Sequence, residues 1–307
     1  MNHWTAETCL TFCHQAGQKC EAEEIRLWQR YMPMQARKNP YALDSLFAIT
    51  SLHVATITDD SKVKAKYLAL AIEYHSSSMK SFVEALSKIT KDNCEAVYSC
   101  SRAFFVLALA LPQVSTEEHT QAAVMRDRIF ELLELFKGSR RILLMFQKEL
   151  SQTPSYVTFA PKDMHLYRTQ DPDFQHAIVD LRCLVNEDPI TGGQHRAKQV
   201  ALTELEACAI RLVSGVRAAL VGWLVSLEEE FVSALFEQDV TATLILMHWA
   251  VLLAIPNNLW WSFKSGGSLV EELARSLPVL SDQQGKMVEW CRSRVRHGRA
   301  YFGDATT

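Results

Sequence analysis

Three sulfurs near the start of the chain have a spacing that could do chemistry. Cys9, Cys13 and Cys20 in CLTFCHQAGQKC stand at i, i+4 and i+11. At about 100° per residue, such positions on an α-helix fall within roughly 40° of one another and share a face. A structural zinc site needs four ligands converging on one point. This stripe spans about three turns, and the next cysteine, Cys94, lies far downstream. The spacing therefore predicts no metal site. It predicts a buried stripe on an amphipathic first helix, because free cysteine packs as a small hydrophobe. Trp4, Phe12 and Ala16 add apolar bulk to that helix.

The catalytic candidates are His248, in the middle of the most apolar run of the chain, and Tyr67, with His53 and Tyr74 as further polar groups in the N-terminal half. A lone histidine on an apolar helix is ordinarily a satisfied core residue, and a Tyr67–Tyr74–Ser78 stripe ordinarily packs with its hydroxyls tied to backbone. No Gly-x-Ser-x-Gly elbow, His-Glu-x-x-His pair, phosphate-cradling glycine loop or dinucleotide fingerprint appears. Chemistry here is thus expected to need no metal or redox cofactor. It would hold a reactive apolar substrate in a productive shape and donate one or two hydrogen bonds.

The expected substrate-binding residues are Trp223, Met247, Trp249, Leu252, Trp260, Trp261 and Phe263, wide apolar side chains suited to a flat polycyclic guest. In Trp260-Trp261-Ser-Phe263-Lys264-Ser-Gly266-Gly267, adjacent indoles on a helix point about 100° apart and cannot both face one core. At least one is expected at a cavity, an interface or the surface. Lys264 beside them stands where it could approach a pocket mouth, although an exposed lysine is the ordinary expectation.

The elements that must position these groups read as helices nearly throughout. Leu43, Leu46, Phe47, Thr50 and Val54 form one stripe after Asn39-Pro40, and a second long periodic segment covers 63–89. Asp92-Asn93 caps a helix from Cys94 to Leu111 that stops at Pro112 and is apolar on most sides, hence central. An amphipathic segment follows at 122–150, broken at Gly138-Ser139. A proline-containing connection at 153–173 separates an N-terminal part (1–152) from a C-terminal part (174–307) that bears the pocket. Further helices are expected at about 173–186, 194–221, 227–237, 239–254, 267–277 and 281–298. The predicted fold class is all-α, one orthogonally packed multi-helix domain with an internal hydrophobic pocket.

With 307 residues, 48% of them hydrophobic, the chain can bury a sizeable core. A net charge of −3 without a basic run argues against direct nucleic-acid binding. The eight cysteines form no disulfide framework, and no basic-then-apolar leader opens the sequence, so a reducing, cytoplasmic location is expected. Leu244 to Ile255 is interrupted by His248 and falls short of about 18 residues, which predicts a buried helix and no membrane span.

Three segments carry a family resemblance: WQRYMPMQARKNPYALDSLFAITSLHVA, DNCEAVYSCSRAFFVLALALP and ATLILMHWAVLLAIPNNLWWSFKSGG. In order and spacing they resemble the regulatory domain of fungal zinc-cluster transcription factors of the sterol uptake control type. The matching residues are Trp28-Gln29, Pro33 and Leu52-His53-Val54-Ala55. Next come Asp92-Asn93-Cys94, then Ala242 to Trp249, Trp260-Trp261 and Gly266-Gly267. The family's basic six-cysteine cluster is not matched, since only Lys19 is basic between Cys9 and Cys20 and the sequence begins where the regulatory domain begins. DNA reading by this chain is therefore not expected.

The resemblance implies a pocket between helices for a hydrophobic polycyclic or terpenoid small molecule, with a homo-dimer as a possible assembly. Stand-alone proteins that look like this domain include hetero-Diels–Alder catalysts of tropolone-terpenoid pathways, which join a quinone methide to a polyene terpene. The expected function is of that kind. The alternative is a ligand-sensing regulator, nuclear in that case, acting through a partner.

Overall fold

The computed structural model describes residues 1–12, 22–114, 125–155, 171–188, 192–213, 216–255, 259–262 and 264–297. Regular structure among them is helical, with no strand, as the periodicity predicts. The contacts divide the chain into two compact units. The first holds Met1–Ala123, Glu134–Ala160 and Leu259–Trp261; the second holds Val124–Leu133, Pro161–Asn258 and Ser262–Thr307.

The first unit opens with α1 (Asn2–Ala6) and a 3-10 turn at Thr8–Phe12. Cys9 is buried, with Sγ 3.5 Å from the Thr5 carbonyl oxygen, while Cys13 and Cys20 lie outside the described residues. A continuous helical run follows: α2 (Ala22–Arg26), a π-helical turn at Leu27–Tyr31, and α3 (Met32–Ala36). Helix α4 (Pro40–Ile57) starts on a proline, whose missing N–H is no loss in a first turn. Helix α5 (Ser61–Leu86) is capped by Asp60, whose carboxylate accepts from Lys62 N at 2.8 Å and Val63 N at 3.2 Å.

Helix α6 (Cys94–Val114) continues two residues past Pro112, a correction to the expected stop. A proline in the last turn forfeits only the bond to the carbonyl four residues back. Helix α6 has the length and hydropathy of a membrane span, yet 67% of its most apolar stretch is buried inside the protein, which makes it a core helix. Helix α4 packs on both α5 and α6, and the Ser78 hydroxyl of α5 donates to the Tyr41 carbonyl of α4 at 2.6 Å.

Helix α7 (Met125–Met145) passes unbroken through Gly138, and the interruption comes at Phe146, before α8 (Gln147–Leu150). The division between units falls within α7. The expected connection at 153–173 lies mostly outside the described residues.

After its share of α7, the second unit continues with α9 (Pro172–Glu187) and α10 (Gly193–Val213), followed by α11 (Ala219–Ser226) and α12 (Glu229–Phe236). The single helix expected at 194–221 is thus two. The chain turns where the Val216 amide reaches back to the Arg211 carbonyl at 2.8 Å. Helix α12 ends in a Schellman arrangement, with Asp239 N donating to Ala234 O at 2.9 Å and Gln238 N to Leu235 O at 3.1 Å. Gln238 takes the left-handed position, φ 60°, that usually belongs to glycine.

Asp239 then caps α13 (Val240–Ala254), accepting from Ala242 N at 2.7 Å. Its other oxygen lies 2.7 Å from Lys198 Nζ, which also donates to Asp188 at 2.6 Å; Lys198 is wholly buried. Burying an ammonium is tolerable only with such partners. Every residue of α13 from Thr241 to Leu253 is buried, as its apolar character all round requires. It packs against α9, α10, α14 (Ser265–Ser276) and α15 (Asp282–His297).

Candidate functional site

The structure assigns the expected site residues to different clusters. Trp223 and Trp249 stack at 5.6 Å between ring centroids and 18° between planes in the second unit. Their indole N–H groups donate to the carbonyls of Ala201 at 2.9 Å and Leu220 at 3.2 Å. Met247 and Leu252, on the same α13, are fully buried. Each such side chain contributes on the order of 1.5–3 kcal/mol by its burial, so this group carries much of the second unit's core.

His248 meets a different helix, α15. Its Nδ1 lies 2.7 Å from the Leu244 carbonyl one turn back, its ring stacks on Trp290 at 5.0 Å and 13°, and Cys291 Sγ approaches to 3.6 Å. Burial lowers its pKa to about 4, so the imidazole is neutral near pH 7. Trp290 and Cys291 escaped the sequence reading, because no local spacing joins them to residue 248. Tyr67 is half-buried on α5, its neighbour Tyr74 meets Phe47 at 5.2 Å, and Lys264 is exposed with φ 64°.

The paired indoles part, as adjacent positions must. Both belong to the first unit. Trp260 is half-buried, donates through Nε1 to Thr11 Oγ1 at 3.0 Å, and meets the His53 ring at 5.0 Å. Trp261 is only 3% exposed and stands edge-on to Phe105 at 5.7 Å. Its backbone carbonyl accepts from Gln113 Nε2 at 3.0 Å, but its indole N–H is buried with no hydrogen-bond partner among the described residues. Such a donor typically costs 1–3 kcal/mol. Phe263 lies outside the described residues.

Around Trp260 the first unit gathers further rings. Phe12 lies 5.1 Å from Trp28 and 5.9 Å from Trp4, whose indole donates to the Trp28 carbonyl at 2.9 Å. Trp28 sits in the π-helical turn, a form that leaves backbone carbonyls short of partners and recurs at functional sites. His53, on α4, bonds through Nδ1 to Thr8 Oγ1 at 3.0 Å. Burial, with a smaller contribution from the neighbouring His3, lowers its pKa to about 4. The cluster therefore offers an aromatic wall and an imidazole that is uncharged at neutral pH.

Among the described residues no group of three or more His, Cys, Asp or Glu side chains could hold a metal ion. No protein-family model matches the chain, and no curated protein matches it.

Proposed function

We propose that this chain is a cofactor-free biosynthetic catalyst of the cyclase or hetero-Diels–Alder type, joining a tropolone-derived quinone methide to a terpene. The three resembling segments support the reading, and one structural observation carries it: the buried, unpaired indole N–H of Trp261, from the same tripeptide that brings Trp260 to the neutral His53. In such a cycloaddition the quinone methide supplies a C=C–C=O heterodiene and the terpene an alkene. One C–O and one C–C bond form, no group leaves, and no electron acceptor is consumed. Negative charge grows on the heterodiene oxygen as the bonds form, and a desolvated donor that lacks a partner in the ground state stabilises that charge. Aromatic faces would hold both partners close, converting a bimolecular encounter into a positioned one. A carbonyl acceptor also relieves the donor's own deficit.

The test mixes purified protein with a quinone-methide precursor and a humulene-like terpene alcohol, then measures the rate and ratio of cycloadducts against the uncatalysed mixture. Acceleration with an altered ratio supports the catalyst; a rate and ratio identical to the blank sink it. Tight terpene binding by calorimetry, with no change in products, would instead favour the ligand-sensing regulator.

A further inference from the structure

We infer that α5 is the seam of a homodimer, in which the α5 helices of two copies of this chain pack antiparallel about a two-fold axis. Helix α5 runs unbroken from Ser61 to Leu86 and rests on α4 and α6. Roughly a third of a turn round the helix from the buried Ala71, Ser78 and Phe82 lies an apolar stripe. Ala65, Ala69, Ile72, Ser76 and Val83 are exposed along it, Ile72 by 48% and Val83 by 58%. Half-buried Met79 and Leu86 complete the series. From 65 to 86 the steps alternate strictly between four and three, the spacing of a coiled-coil seam, whereas a helix face that meets only water is ordinarily polar. The small side chains at 65, 69 and 76 let a second helix come close.

Charge names the occupant. Lys66, Glu73 and Lys80 stand seven residues apart along one border of the stripe, all exposed, and form no ion pair or hydrogen bond among the described residues. The other border, Leu68, His75 and Phe82, leads into the core, where His75 and Phe82 meet the Phe104 ring at 5.6 and 5.0 Å. Antiparallel pairing sets like borders face to face. Parallel pairing would instead lay each charged border on the apolar one of its neighbour.

With Glu73 opposite Lys80 of the second copy, two-fold symmetry makes the reciprocal bridge as well. The same register sets Ile72 against Val83 of the second copy, Ser76 against Met79, and Ala69 against Leu86, so that contact runs over about 33 Å of helix. A slip of seven residues would put Glu73 against Glu73 and Lys66 against Lys80, and like charges reject it. An unrelated partner would need the reverse order of charges, which a second copy running the other way supplies. The pairing is independent of the chemistry proposed above.

The experiment follows the full chain by sedimentation velocity from about 1 µM to about 100 µM, where a monomer–dimer equilibrium is expected. I72K should weaken association roughly tenfold or more, since it places a cation in each half of the seam. E73K and K80E each turn two attractive contacts into repulsive ones and should weaken it about fivefold. The double substitution E73K/K80E exchanges the charges and should recover the association of the unaltered chain. Circular dichroism checks every fold, and the charge exchange keeps the test alive if I72K unfolds. A chain that stays monomeric throughout the range overturns the inference. So does a dimer indifferent to the three single substitutions, or a double variant that associates no better than either single one.

Discussion

Gly266 in α14 presses against the backbone of Ala250 in α13. A Cβ built on Gly266 would collide with the Ala250 carbonyl oxygen, and would lie 2.8 Å from Ala254 N and 2.9 Å from Ala254 Cβ. Two of those three atoms are backbone and cannot swing away. Substituting G266A should therefore force α14 off α13 and cost about 2–3 kcal/mol. At about 2–4 °C per kcal/mol for a domain of this size, thermal melting should show a fall of roughly 5–10 °C. The neighbouring G267A, where nothing lies within 4 Å of the added carbon, serves as the control.

His248 makes stability fall in mild acid. Its folded pKa of about 4 lies below its usual 6.5. As pH drops through 6.5 the unfolded chain takes up a proton that the folded protein refuses, so stability is complete above 6.5 and declines toward 4. The loss is on the order of 3 kcal/mol, and His53 titrates in the same window with the same sign. Urea midpoints at pH 7 and pH 4.5 should differ, and H248N should remove about half of that difference.

The end of α12 should tolerate improvement. Gln238 holds φ 60° inside a complete Schellman arrangement. Replacing it by glycine removes the clash of a Cβ with the following carbonyl, so Q238G should raise stability by about 1 kcal/mol in chemical denaturation. A drop would show that the glutamine side chain supplies more than its backbone strain costs.

Trp261 should separate function from folding. W261F keeps the edge contact with Phe105 and deletes the unpaired N–H. Stability should stay level or rise by about 1 kcal/mol, because an unsatisfied donor has gone. Cycloaddition should slow about tenfold or more. A variant with undiminished activity would remove the indole from the proposed chemistry.

Most helices were legible because periodicity reports a local face. The runs at 40–57 and 240–254 announce themselves through proline entry or an apolar run interrupted only at Thr241, Thr243 and His248. The breaks were not legible. Apolar spacing continues across the turn after Val213, whereas the glycine at 138, the apparent breaker, costs only about 1 kcal/mol inside a long helix. Pairing across the sequence was invisible altogether. Nothing near Trp260 signals His53, nor anything near His248 signals Trp290, since tertiary packing rather than spacing brings them together.

Of the described cysteines, five are buried, and Cys183 is the exposed one. Burial raises the thiol pKa of Cys100 and of Cys208 to about 12, and raises that of Cys291 as well, leaving negligible thiolate at neutral pH. Quinone methides alkylate thiolates rather than thiols, so an interior sulfur kept protonated and enclosed is a poor target. If the proposed quinone-methide chemistry operates, these enclosed thiols would escape alkylation, and among the described cysteines any adduct seen by mass spectrometry should map to Cys183.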